Sequence, residues 1–431
     1  MKMSFPLQLP TAIIGMGLSG RAILNLLLKY GIPRNQIMTF DKSDTSASDN
    51  DNVQLLAKKP KSLIVSPGVP LQTAWIQAFK KAGGQITSEL EIAFSFLKSE
   101  KVITVTGSVG KSTCVALLQS GLSQFAPNAF VGGNLGFPLA DYVSALFEGR
   151  ARADWIALEL SSYQLENFAN LRSDATIFTS LTPNHLERYA SLEAYYDTKW
   201  TLISKTSGPV VLNHHGGDLP SYAENKHGPW IWSSSMSPEF LSFPFHQAKL
   251  VGHHNYDNLA LVIRLSRELG WPEISIEGFL EFSGLPHRLE NLGHTRGVQF
   301  INDSKATTVE SVLQAVHSTA NLSKGTTFIL LGGRDKNLPW VDLKKLENPR
   351  RHFVFFGECG VRAAQGSGLT GEYFERLEQA LNFTFSQVRP GDLVLFSPGG
   401  TSLDQFTSFE KRGDFFKSRI LEYSKSPNQQ G

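Results

Sequence analysis

Short apolar runs recur along this chain. Each closes on glycine, serine, proline or a charged residue and is followed by a longer stretch with helical spacing. That alternation predicts an α/β fold of parallel sheets with crossover helices. TAIIGMG (11–17), NQIMTFD (35–41) and SLIVSPG (62–68) read as strands of a first block ending near residue 98. VITVTG (102–107), WIALEL (155–160) and ATIFTSL (175–181) belong to a second. VQFIND (298–303), TTFILLGG (326–333), HFVFFG (352–357) and DLVLFSPGG (392–400) belong to a third, opening near HRLENL (287–292). No repeat of fixed period and no low-complexity tract interrupts the pattern, and the polar tail SKSPNQQG reads as frayed.

Ligands of open parallel sheets sit beyond the carboxyl ends of the strands. Here those ends carry GSVGKST, ELSS, TPNH, NDSKAT, GGRDK and SPGGTS. A sheet with only a structural task needs no such endings.

Composition narrows the partners. The 431 residues suggest two to four domains, at roughly 100–200 residues each. With 41% hydrophobic and 19% charged residues and a net charge of +2, the chain reads as an ordinary globular protein. No Lys/Arg run forms a patch for nucleic acid or a membrane surface. Cys114 and Cys359 lie far apart, so neither a disulfide framework nor a zinc site is expected, which fits a reducing cytoplasm. The N-terminal MKMSFPLQLP is too interrupted for a signal peptide, and no apolar stretch approaches the ~20 residues a membrane span needs. Small metabolites are the expected partners.

VTGSVGKST is the strongest local signal. It sets Gly107, Ser108, Val109, Gly110, Lys111, Ser112 and Thr113 between a strand and a helix. Glycines let the backbone wrap around phosphate oxygens, the helix N-terminus favours their charge, the lysine reaches the terminal phosphates and a hydroxyl ligates Mg2+. The full GxxxxGK[ST] pattern is not met, because Val105 stands at its first glycine. The competing reading is a glycine-rich turn with a chance lysine. Even the nucleotide reading leaves kinase, GTPase and ligase open.

Glu159 ends one predicted strand and His185 ends the segment ATIFTSLTPNH. On adjacent parallel strands both would face the phosphate loop as metal ligands. Taken singly, Glu159 reads equally as a helix-start residue and His185 as a loop residue. Lys199, in SLEAYYDTKWTLISK, reads from spacing alone as a solvated helix lysine. A different chemistry is offered by GMGLSG (15–20), which fits GxGxxG after a strand, with Asp41 about 20 residues on. An NAD-dependent oxidoreductase is therefore an alternative, although that fingerprint explains nothing after residue 98.

Taken together, TGSVGKST, VGGNLG, ELSSYQLE, TPNHLERY, GHHNYDN, LPHRLE, INDSKATT, LLGGRDK and SPGGTSLDQFTSFEKRG, in this order, resemble the Mur ligases and within them the D-glutamate-adding branch. The resemblance implies three domains: a Rossmann-like domain for a UDP moiety (1–98), a central P-loop ATPase-like parallel sheet (99–286) and a C-terminal Rossmann-like domain for D-glutamate (287–431). It implies a monomeric cytoplasmic enzyme of peptidoglycan precursor synthesis. ATP would phosphorylate the carboxylate of UDP-N-acetylmuramoyl-L-alanine, and the amine of D-glutamate would attack the acyl phosphate. A carboxylate is a poor acyl donor because oxide would have to leave. Phosphorylation supplies a leaving group, in a site that must exclude water. Within this reading, another amino-acid-adding Mur ligase or a folate polyglutamate ligase remains an alternative, as does a non-catalytic nucleotide-binding regulator.

Site residues follow from the resemblance. Lys111, Glu159, His185 and Lys199 would be catalytic. Gly107 to Thr113 would hold the ATP phosphates, and Asn255, Asn258, His287, Arg288 and Asp303 would make further nucleotide contacts. Ser112, Glu159 and His185 would ligate Mg2+ (or Mn2+), and a carbamylated Lys199 would hold a second ion. Lys305, Thr307, Lys336, Ser402, Leu403 and Phe409 would form the D-glutamate pocket, where lysines and a hydroxyl suit two carboxylates. Leu18, Ser19, Asp41, Lys42, Ser66, Pro67 and Gly68 would bind the uridine diphosphate, and Asn134, Ser161 and Gln164 the muramoyl part. Simpler readings stand beside these: surface charges for the lysines, helix caps for Asn255, Asn258 and Asp303, a turn residue for Ser402.

Three departures from the family pattern carry expectations. Asn184 replaces an Asp before His185 and removes a charge there. Val109 replaces an Asn in the phosphate loop and removes a side-chain contact. Gly399 and Gly400 replace small non-glycine residues and are expected to loosen the strand end that presents Ser402.

Overall fold

The computed structural model describes residues 7–42, 44, 46–134, 136–184, 188–250, 252–334 and 338–425. Three α/β sheets follow one another along the chain. The first joins β1 (Thr11–Ile14), β2 (Ile37–Phe40), β3 (Ser62–Val65) and β4 (Gln85–Thr87), all parallel, in the order β2-β1-β3-β4. The second joins β5 (Lys101–Thr106), β6 (Phe130–Gly133), β7 (Trp155–Glu159), β8 (Ala175–Phe178), β9 (Val210–Asn213) and β10 (Trp230–Ser233). Its order is β10-β9-β8-β5-β7-β6, again all parallel.

The third sheet joins β11 (Glu290–Thr295), β12 (Val298–Asn302), β13 (Thr327–Gly332), β14 (Arg351–Phe356), β15 (Gly371–Phe374) and β16 (Leu393–Gly399). Its order is β11-β12-β16-β13-β14-β15. The expected fold class, with three parallel α/β layers, holds with one exception. β11 runs antiparallel to β12. The cause is local: Arg296 and Gly297 both take positive φ, 52° and 75°, in the two-residue hairpin turn between them.

Burial explains why the predicted strands read as continuous apolar runs. In the third sheet Ile301, Ile329, Phe353 and Leu395 enter one core, while Phe300, Leu330, Val354 and Phe396 enter the other. Both faces are covered, as parallel sheets require.

The chain divides into two compact units, Met1–Phe243 with Asp257–Phe279, and Pro244–Tyr256 with Leu280–Gly431. The first unit contains two sheets because they share one apolar core. Ile13, Ile23 and Leu26 of the N-terminal block pack into the same cluster as Tyr142, Val143 and Ile156 of the second block. Among the described residues, no helix is long and apolar enough to cross a membrane.

Candidate active site

The phosphate loop leaves β5, the strand flanked by β7 and β8. Its conformation depends on glycine at two positions. Gly107 has φ +141°, and a Cβ there would stand 2.1 Å from Thr179 Oγ1. Gly110, at φ +90°, starts the helix Lys111–Leu122, and a Cβ would stand 2.6 Å from Asn258 Oδ1. The segment after β8 braces the loop. Ser108 N donates to Ser180 O at 2.9 Å, Val109 N donates to Ser180 Oγ at 2.9 Å, and Ser108 Oγ donates to Thr182 O at 3.0 Å.

Two lysines meet at one carbonyl of this loop. Lys111 Nζ donates to Gly107 O at 2.9 Å and to Ser108 O at 3.0 Å. Lys199 Nζ donates to the same Gly107 O at 2.8 Å. Lys199 is 2% exposed, so it is not the solvated helix lysine that its spacing suggested. Burial, then the charge of Lys111, pulls its ammonium well below the usual lysine range, with Glu159 opposing.

Glu159 ends β7 and is 2% exposed. Its Oε1 accepts from Asn134 Nδ2 at 2.9 Å, while Oε2 is buried without a hydrogen-bond partner. A buried carboxylate oxygen left open, one strand from the phosphate loop, suits a hard divalent cation. The expected placement of Glu159 and His185 on adjacent strands is corrected. β7 and β8 stand on opposite sides of β5, so the two segments flank the loop strand instead of neighbouring each other. His185 itself lies outside the described residues, as does Lys336. Asn258 is 5% exposed and lies against Gly110 and Cys114, whose Sγ is 3.6 Å from its Oδ1. Asn255, 6% exposed, lies one turn earlier on the helix His253–Glu268.

A cleft in the first unit gathers residues from both of its sheets. Ser66 and Pro67 form one wall, Tyr163 and Gln164 another, with Glu89 and Arg188 also lining it. Ser161 and Gln164 form a capping box: Ser161 N donates to Gln164 Oε1 at 2.9 Å, and Gln164 N donates to Ser161 Oγ at 3.3 Å. Asp41 holds the glycine turn, with Oδ2 accepting from Met16 N at 2.7 Å. Gly68 and Lys42 are exposed, Ser19 is half-buried, and Leu18 is 77% exposed at the start of the helix Leu18–Lys29.

In the second unit Asp303, beyond β12, accepts from Ser397 Oγ at 2.8 Å and Leu289 N at 3.1 Å. Burial raises its carboxyl to about 7. It does not cap a helix, since Thr308 caps Val309–Thr319. His287 is buried at φ +63°, with Nδ1 3.0 Å from Asn302 Nδ2, and burial lowers its pKa. Arg288 beside it is exposed. Lys305 Nζ lies 4.0 Å from the centre of the Phe409 ring, and burial, then Arg288, lowers its pKa. Thr307 is half-buried, Ser402 is buried, and Leu403 is 54% exposed. Ser402 O accepts from Gln405 N and Phe406 N, so its backbone does form a turn.

Residues 105–265 match the family described as the Mur ligase middle domain. A protein of Mannheimia succiniciproducens is 32% identical, over 96% of this chain and 97% of its own. One of Buchnera aphidicola is 30% identical, over 95% and 97%. Both carry the name UDP-N-acetylmuramoylalanine–D-glutamate ligase. The chain belongs to the Mur ligase family. Its fold agrees with the crystal structure of the UDP-N-acetylmuramate-alanine ligase of Thermotoga maritima, at TM-score 0.59 and 16% identity over 96% of this chain and 100% of the other.

In this Mur ligase the Asp41 carboxylate braces the backbone of the GMGLSG turn, through Met16 N. Of the departures, Val109 is 54% exposed, and the loop is held there through main-chain groups instead. Asn184 is exposed at the end of its described segment. The expected loosening at Gly399 and Gly400 is corrected. Both are buried: Gly399 N donates to Ala306 O at 3.0 Å and Gly400 N donates to Gly332 O at 3.1 Å. At φ +78°, with Trp340 and Val312 within 3.1 Å of any Cβ, position 399 requires glycine.

Sequence reasoning missed two residues that organise these sites. Tyr195 OH is 3.0 Å from Ser108 Oγ. Arg412, fully buried, donates to Gly400 O at 3.0 Å, Ser304 O at 2.9 Å and Ser304 Oγ at 3.1 Å. The one available signal was an arginine inside FEKRG, where the helix Phe409–Lys425 turns inward.

Proposed function

We propose that this ligase joins D-glutamate to UDP-N-acetylmuramoyl-L-alanine in two steps. ATP first phosphorylates the muramoyl-alanine carboxylate: its oxygen bonds the γ-phosphorus and ADP leaves. The D-glutamate amine then bonds the acyl carbon, phosphate leaves and the amine loses a proton. The observation that carries this reading is the convergence of Lys111 and Lys199 on Gly107 O, beside the open oxygen of Glu159.

Lys111 would swing from the loop carbonyls to the transferred phosphoryl oxygens, where its charge opposes the negative charge that builds there. The main-chain N–H groups of the loop and the first turn of Lys111–Leu122 would hold the other phosphates. Glu159, Ser112 and His185 would hold Mg2+, oriented on the carboxylate side by Asn134. Bound there, Mg2+ would neutralise charge on the phosphates. Lys199, its ammonium disfavoured by burial, would add CO2 at its amine, forming an N–C bond and releasing a proton. The carbamate is an anion suited to a second ion.

Ser66, Pro67 and Gln164 of the cleft, with Leu18, Ser19, Asp41, Lys42, Gly68, Asn134 and Ser161, would take the UDP-muramoyl substrate. Lys305, Thr307, Lys336, Ser402, Leu403 and Phe409 would take D-glutamate. Asn255, Asn258, His287, Arg288 and Asp303 would complete the nucleotide contacts. The three sheets then correspond to a UDP-binding part (1–98), an ATP-binding part (99–286) and a D-glutamate-binding part (287–431). The pathway step would be cytoplasmic.

The test is phosphate release with ATP, Mg2+ and UDP-N-acetylmuramoyl-L-alanine, offering D-glutamate, L-glutamate, L-alanine or meso-diaminopimelate in turn. Release only with D-glutamate, lost in Lys111→Ala, is expected. Release with another amino acid would keep the ligase chemistry and overturn the roles of Lys305, Lys336 and Ser402.

A further inference from the structure

We infer that Arg188 is a positioning residue that ties together the two walls of the substrate cleft. Its guanidinium grips Glu166 with two parallel bonds, Nε to Oε1 at 3.0 Å and Nη2 to Oε2 at 2.7 Å. Nη1 donates to Pro67 O at 2.9 Å. The guanidinium carbon lies 3.9 Å from the centre of the Tyr163 ring. Pro67 belongs to the loop after β3, in the first sheet. Tyr163 and Glu166 belong to the turn after β7, in the second. One side chain therefore spans the cleft's two walls, Ser66–Pro67 and Tyr163–Gln164, and itself lines the cleft.

The arrangement is not explained by stability alone. The side chains are 9% and 18% exposed, and a pair this dry contributes little net stability over an apolar pair of similar volume. What an apolar pair lacks is direction. A planar fork bonded on two edges and stacked on a ring fixes the distance between the loops. The cleft also contains a donor without a partner: Asn167 Nδ2 is buried and unbonded. A polar ligand lying between walls held at this spacing would satisfy it.

The inference rests on the proposed function, which makes the UDP-muramoyl substrate the occupant of this cleft. Arg188→Lys keeps the charge and loses the fork, and Glu166→Gln keeps the shape and loses the charge. KM for UDP-N-acetylmuramoyl-L-alanine, KM for ATP and kcat are measured for each, with thermal melting to establish folding. Misplaced walls should raise KM for the nucleotide sugar about tenfold or more in Arg188→Lys, and less in Glu166→Gln, with kcat and KM for ATP within about twofold. If Arg188→Lys melts below the assay temperature, Glu166→Gln decides by the same split. An unchanged KM, or a fall in kcat at unchanged KM, overturns the inference while the function stands. Wild-type protein that neither turns over this substrate nor binds it by calorimetry overturns the function, and the inference with it.

Discussion

Glu89 lies at the start of the helix Glu89–Phe94 and is 3% exposed, with Oε1 accepting from Ala140 N at 2.6 Å. Burial raises its carboxyl from 4.5 to about 7, the Ala140 bond opposes, and Asp141 adds to the rise. Between those two values the folded chain holds a proton that the unfolded chain has released. Stability from this group is thus fully present below about pH 4.5 and falls as pH rises towards 7. Glu89→Gln keeps an acceptor for Ala140 N and has nothing to titrate. Melting should show little change near pH 4 and a gain of up to about 3 kcal/mol near pH 8. Equal pH slopes in variant and wild type would refute this. Glu89 was invisible in the sequence for a simple reason: an acid after Ser88 reads as an ordinary first-turn residue. Lys199 misled in the same way. Spacing reports which face of a helix is apolar, not whether a lone lysine is drawn under a loop from elsewhere in the chain.

The helix Leu192–Ser204 is attached to the phosphate loop twice. Tyr195 OH meets Ser108 Oγ at 3.0 Å, and one turn on Lys199 Nζ meets Gly107 O at 2.8 Å. Side chains four apart share a helix face, so both bonds come from one orientation of the helix. Tyr195→Phe removes only the hydroxyl, leaving the ring against Tyr189 and Tyr196. Stability should fall by about 1 kcal/mol, and KM for ATP should rise several-fold as Ser108 loosens. Nucleotide titration and melting of the variant check this. An unchanged KM would mean that the Ser180 bonds alone fix the loop. At this scale legibility followed strand position. The strands predicted from apolar runs include β5, β12, β13 and β16, buried on both sides. Those missed include the edge strands β4, β6, β10, β11 and β15, whose half-exposed residues break the run. β9, VVLN, was missed as well although it is buried. The antiparallel β11 could not be read from apolar pattern at all, because a hairpin turn decided it.

The two units differ in how they divide along the chain. In the first, the sheets predicted as separate blocks share a core, so apolar blocks in sequence do not mark independent bodies. In the second, the core is self-contained. Among the described residues, the clusters on its two sheet faces include none before Leu289. The segment Pro244–Tyr256 joins this unit at its margin, with Lys249 N donating to Leu280 O at 2.9 Å and Phe245 stacked on Tyr256 at 5.4 Å. If the sheet's own faces supply the stability, a fragment of residues 287–431 should fold alone, since a complete core is what autonomy requires. It should unfold in one cooperative thermal transition and retain the buried Arg412 network between Ser304 and Gly400. Arg412→Ala in that fragment leaves the Gly400 and Ser304 carbonyl oxygens unbonded in the core and should destabilise it by several kcal/mol, at about 1–3 kcal/mol for each buried group left unsatisfied. A broad, non-cooperative melt of the parent fragment would show that the margin contributed by 244–286 is part of the core. The boundary near residue 287, drawn where apolar strands resume, would then be a boundary of pattern and not of folding.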